Sequence, residues 1–221
     1  MENASKALII AGSVLLSVLI ISALVLMFNR IGDFKRAEAS TEDIQKINEY
    51  NKQIESFEKS GLYGSEILSL ANLIEDYNKR QADLKGYKAI DATIEFGEVD
   101  YSNFPKSPCS SAQLVSGFTK LENTLNKTGS KKYYGKTVEI LAGMKYAQIK
   151  DLLLENGENV GNVSAIDIMK YVDSNAQKDI ETYNNLKPVI TNFKNRKFEK
   201  PIMERDKDGK VIKVSIKQIY T

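Results

Sequence analysis

The side chains that most often do chemistry are scarce in this chain. It has no histidine, which removes the commonest general base, the commonest metal ligand and the usual partner of a nucleophilic serine or cysteine. Cys109 is the sole cysteine, so neither an intrachain disulfide nor a thiolate metal cluster can form. It stands in SNFPKSPCSSAQ and reads as a turn residue in preference to a nucleophile, since the third partner of any triad is missing. Glu75-Asp76 is a carboxylate pair, yet adjacent residues on a helix do not share a face. Asp206-Lys207-Asp208-Gly209 opens like a calcium loop but lacks the further acids and closing glutamate, so a tight turn is the stronger reading. Lys131-Lys132-Tyr133-Tyr134 could stack and pair with a sugar or phosphate, although a solvated strand end is the commoner fate of such a cluster. The chain carries no phosphate loop, zinc signature or G-x-S-x-G elbow. The expectation is a protein that is not an enzyme, with no catalytic residue, no cofactor and no metal. Lys+Arg is 31 against Asp+Glu 29, so no global field favours a nucleic-acid partner.

The element that dominates everything downstream is ALIIAGSVLLSVLIISALVLMF, residues 7–28, a run without a charge. At about 1.5 Å per residue it makes a rod of about 33 Å, enough to cross a hydrocarbon core of about 30 Å. It is too long for the apolar region of a signal peptide, and only Lys6 precedes it among basic side chains. Ala37-Glu38-Ala39 has the form of a cleavage site but lies beyond Arg30, Asp33, Lys35 and Arg36. An uncleaved single-pass membrane anchor is therefore expected. Counting Lys6 before the span against Arg30, Lys35 and Arg36 after it places the domain in the cytoplasm. Long domains are often translocated regardless of flanking charge, which leans the other way, and topology stays open. Within the span Ala7, Ala11, Gly12, Ser13 and Ser17 offer small side chains at helical spacing, a face on which helices can approach closely. The partners this implies are the lipid bilayer and copies of the chain or other membrane proteins.

Residues 1–6 form a tail, 29–39 a polar joint and 40–221 an α+β domain. Ser40 or Thr41 is expected to cap a helix carrying Ile44, Ile47, Tyr50, Ile54 and Phe57 on one stripe, ended by Gly61. Gly64-Ser65 opens a second helix with Ile67, Leu70, Ile74 and Tyr77, completing a juxtamembrane helical hairpin. Ile90, Ala92, Ile94 and Phe96 alternate with polar residues, as in a half-buried strand. Residues 202–220 read as a C-terminal hairpin in which Ile212, Val214, Ile216 and Tyr220 share a face. Between them lies a mainly helical insertion, about 102–195. It is expected to hold a helix over 110–126, a strand over 133–141, a short helix over 145–155 and a long helix from Ser164 with Asp167 in the capping-box position, broken or kinked at Pro188. A small antiparallel sheet completes the expected architecture.

MENASKALIIAG with VLLSVLIISALVLMFN, then INEYNKQIESFEKSGLYGSEILSLANLIEDYN and the closing PIMERDKDGKVIKVSIKQI, resembles a family of small single-pass proteins encoded by Firmicutes, especially gut Clostridia and relatives. The resemblance covers about residues 1–97 and 198–221 and implies no activity or site residue. One apolar N-terminal helix followed by helix and terminal strands also looks loosely like a type IV pilin. The processing glycine with its following phenylalanine or methionine and downstream glutamate is absent, and Glu2 lies outside the span. The expected role is a membrane-anchored structural or assembly protein, pilin-like or a scaffold, acting through protein contacts. The alternative is an envelope binding module whose inserted region recognises a ligand or surface.

Overall fold

The computed structural model describes residues 2–220 apart from Lys85, Asn103, Asn162, Ala165 and Ile166, and, within helices, leaves out the side chains of residues 2–13, 34 and 36–40. Contacts divide the chain into two units, Met1–Tyr50 with Asp83–Tyr87, and Asn51–Ala82 with Lys88–Thr221.

Helix α1 runs Glu2–Glu55. The expected helix start at Ser40 or Thr41 is corrected: α1 runs unbroken through residues 29–41. The reason lies in composition. NRIGDFKRAEA holds Arg, Lys, Glu and Ala and no proline, so a single Gly32 is the only weak position. Within the first unit, Val14–Asp33 has a mean hydropathy of 2.3 and is 0% buried. Among the described residues this one helix is long and apolar enough to cross a membrane.

The second unit is mixed helix and sheet, an α+β fold. Helix α2 (Gly64–Arg80) buries the expected stripe of Ile67, Leu70, Ile74 and Tyr77, and packs on α3 (Ser111–Gly129) and α6 (Ser174–Asn195). Strand β2 (Asp91–Glu95) turns Ala92 and Ile94 inward. Asn78 ties α2 to this strand: its amide donates to Ile90 O and accepts from Ile90 N, both at 2.9 Å.

The main sheet has the order β3-β2-β8-β7, with β3 at Cys109–Ser110, β7 at Ile202–Arg205 and β8 at Val211–Lys217. The expected antiparallel sheet is corrected here. Strand β2 pairs antiparallel with β3 but parallel with β8, Ala92 opposite Val214 and Ile94 opposite Ile216. A parallel neighbour requires a long crossover, and the inserted helices provide it. The hairpin β7–β8 forms at the expected turn. Its register shifts at Glu204/Arg205, so Val211 rather than Ile212 joins Val214 and Ile216 in the core, while Tyr220 lies beyond the end of β8 and is exposed. A smaller pair joins β1 (Leu62–Tyr63) to β6 (Lys197–Phe198).

The insertion departs most from expectation. No single strand fills 133–141. Instead β4 (Lys132–Tyr133) and β5 (Lys136–Thr137) make a tight hairpin, followed by α4 (Val138–Gly143). Tyr134 and Gly135 both take positive φ, 52° and 71°, the backbone of a two-residue turn that matches strand twist. Helix α5 (Tyr146–Glu155) stands as expected. Ser164 starts no long helix: its hydroxyl donates to the Asp167 carboxylate, and a 3₁₀ turn, Ile168–Tyr171, follows. Helix α6 begins only at Ser174, where Asp173 accepts from Asn175 N and Ala176 N. It continues through Pro188 without a break.

Candidate binding cleft

The segment from Phe96 to Pro108 leaves the end of β2 and builds a cleft of about 800 Å³ against Tyr220. Its course is fixed from below. Phe104 is buried and sits edge-on to Phe96 at 5.7 Å between ring centroids, with Phe193 at 5.1 Å and Phe118 at 6.1 Å. Such ring pairs add to the burial of the rings themselves. Phe96 N donates to the Ser107 hydroxyl at 2.7 Å, closing the loop at its base. Gly117 of α3 lets Pro105 lie against the helix, because a Cβ there would stand 2.5 Å from Pro105 Cγ. Helix α3 is itself started by a capping box: Ser110 Oγ accepts from Gln113 N while Ser110 N donates to Gln113 Oε1.

A second set of bonds holds the rim. Arg196 donates through Nη1 to Gly97 O at 2.6 Å and Gln218 Oε1 at 3.0 Å, and through Nη2 to Glu98 O at 2.8 Å. Partial burial lowers the Arg196 pKa, with nearby Tyr220 opposing. Gly97 N also donates to Gln218 Oε1. Tyr220 rests on this floor: a Cβ on Gly97 would lie 3.3 Å from Tyr220 Cε1, and the ring side chain is 66% exposed. Lys217 stands 3.1 Å from Glu95 at the cleft edge. On the other side of the same segment a hollow of about 680 Å³ is lined by Asp100, Tyr101 and Ser102 with Asn184, Asn185 and Asn192 of α6.

The residues singled out from sequence fall elsewhere. The side chains of Ala7, Ala11, Gly12 and Ser13 lie outside the described residues, and Ser17 is exposed on α1. Tyr133 and Lys131 are engaged inside the protein. Tyr133 donates to Asp179 Oδ2 at 2.6 Å, and Lys131 Nζ lies 2.8 Å from Asp179 Oδ1. Tyr134 accepts from Asp173 N. The hydrogen bond to Asp179 first, then burial, raises the Tyr133 hydroxyl to about 12. Burial pushes the Asp179 carboxyl up, but Lys131 and Tyr133 together outweigh it and hold it low. This cluster braces the insertion.

Cys109 is not in an exposed turn but buried in β3, and burial raises its thiol to about 11, so it is protonated and a poor nucleophile. Glu75 accepts from the Ser111 hydroxyl while Asp76 pairs with Arg80, two partners in two directions. Asp206 shapes the hairpin turn by accepting from Asp208 N and Lys210 N. The lysine at 88, 2.7 Å away, is the largest influence holding its carboxyl down at about 2.

Tyr220, Gly97 and Arg196 were not legible as a site. Tyr220 reads as the last inward position of an alternating strand, but β8 ends at Lys217 and the ring lies beyond it on the surface. No family model, no curated protein and no solved structure matches this chain, so the cleft stands on its own geometry.

Proposed function

We propose that this chain is a single-pass protein of a bacterial cell membrane that works structurally, as a pilin-like or scaffold subunit. Its contacts are with copies of itself or with other membrane proteins. The observation that carries the reading is the exposed apolar stretch Val14–Asp33. Its leucine, isoleucine and valine side chains cost about 25 cal/mol per Å² in water and need lipid or other helices around them. Ser22 spends its hydroxyl on Val18 O within the helix at 2.8 Å, which keeps that polar group compatible with a bilayer. The head contributes exposed apolar side chains of its own, Ile140, Leu154 and Ile202. Tethering in a membrane raises the effective concentration of such surfaces, so weak contacts between heads suffice. The domain is placed on the extracytoplasmic side.

Lysine-reactive cross-linking in native membranes tests the role. A ladder of copies or a discrete partner adduct is expected, and monomer alone overturns it. Protease added to intact cells is expected to digest the head, and full protection reverses the topology.

A further inference from the structure

We infer that the cleft between the Phe96–Pro108 segment and Tyr220, continued along α6, binds a neutral saccharide stacked on tyrosine. Three features of the site lead there, independently of the structural role proposed above.

The first is shape. The hollows of about 800 and 680 Å³ share Asp100, Tyr101 and Ser102, so they flank one segment. Each lies within the range of small-molecule sites.

The second is an exposed aromatic face. Tyr220 is 66% exposed and lies over Gly97, a residue whose carbonyl and amide are both held, by Arg196 and Gln218 respectively. A glycine floor lets the ring settle close to the backbone, and the three bonds from Arg196 keep that floor still. A surface ring seated in this way offers a flat apolar face for stacking. Tyr101, half-buried, lines both hollows.

The third is charge and hydrogen-bonding capacity. Glu95, Glu98 and Asp100 line the cleft, and three cations answer them: Lys217 against Glu95, Lys106 on the wall and Arg196 beneath the loop. A balanced site gives no net attraction to a phosphate, a nucleic acid or a basic peptide. What remains is a row of exposed amides, Asn184, Asn185 and Asn192. Each amide both donates and accepts. A ligand with an apolar face, no charge and hydroxyls that donate and accept fits this surface. That is the chemistry of a pyranose.

The full chain, purified in a detergent without a sugar headgroup, is titrated with chitotetraose and with cellotetraose by saturation-transfer NMR and calorimetry. One of them is expected to bind with a Kd in the micromolar to millimolar range, and Tyr220→Ala to weaken it about tenfold. Tyr63→Ala, an exposed tyrosine on β1, is the control and leaves affinity unchanged. Circular dichroism identical to the parent chain shows that Tyr220→Ala folds. Retention on insoluble chitin or cellulose, released by the matching tetrasaccharide, identifies a polymer as the natural source. Soluble binding without retention identifies a free oligosaccharide. No transfer to either sugar overturns the inference, as does binding indifferent to both Tyr220→Ala and Tyr101→Ala.

Discussion

Asp179 is a buried residue of the head, and the two partners of its carboxylate lie far away in sequence, at and beside the β4–β5 hairpin. Asp179→Asn removes the charge that Lys131 and Tyr133 were built around. Lys131 is about half exposed and can return to water, so the expected loss is only about 1–2 kcal/mol, measured by urea unfolding. In the same variant the Tyr133 hydroxyl, now about 12, is expected to titrate nearer its ordinary value in ultraviolet difference spectra. Cys109, protonated and buried, is expected to ignore a thiol reagent at pH 8 until the protein is unfolded, and rapid labelling of folded protein contradicts its placement. The sequence showed Tyr133 beside lysines and suggested a ligand. It had no means of showing that a carboxylate on α6 had already claimed them.

At the scale of elements, the amphipathic helices and the terminal hairpin were readable because period and turn chemistry are local. The stripe of Ile67, Leu70, Ile74 and Tyr77 is the clearest case. What was not readable was set by partners. The parallel pairing of β2 with β8 depends on a crossover, and the start of α6 on Asp173 winning over Ser164 as cap. The bulge at Glu204/Arg205 swaps which residue of β8 faces inward. Close approach of elements is likewise invisible in sequence. Gly64 opens α2 directly against the end of α6, and a Cβ there would fall 1.9 Å from Phe193 O. Gly64→Ala is expected to cost about 2–4 kcal/mol, while Gly135→Ala, with open space around it, is strained only by its positive φ and costs less. Thermal unfolding of the two variants checks the order.

The hairpin turn gives the pH prediction. Asp206 has a folded pKa of about 2, below its ordinary 3.8. Its contribution is therefore present above about pH 4 and lost as pH falls toward 2. Asp206→Asn is expected to be less stable than the parent chain at pH 7 and to match it at pH 2, by denaturant titration at both.

The whole molecule comprises two units: one carries an exposed apolar helix long enough to cross a membrane, the other is a folded α+β head with a cleft at the end of its sheet. Arginine placed at Leu19, mid-span, is expected to disfavour insertion by about 3 kcal/mol without altering the head's circular dichroism. Alkaline carbonate extraction of native membranes tests the anchor most directly. The chain is expected to remain in the membrane pellet with Val14–Asp33 still attached, as peptides from that stretch would show. Release of the chain into the supernatant, or recovery only of a shorter form lacking Val14–Asp33, contradicts an uncleaved anchor.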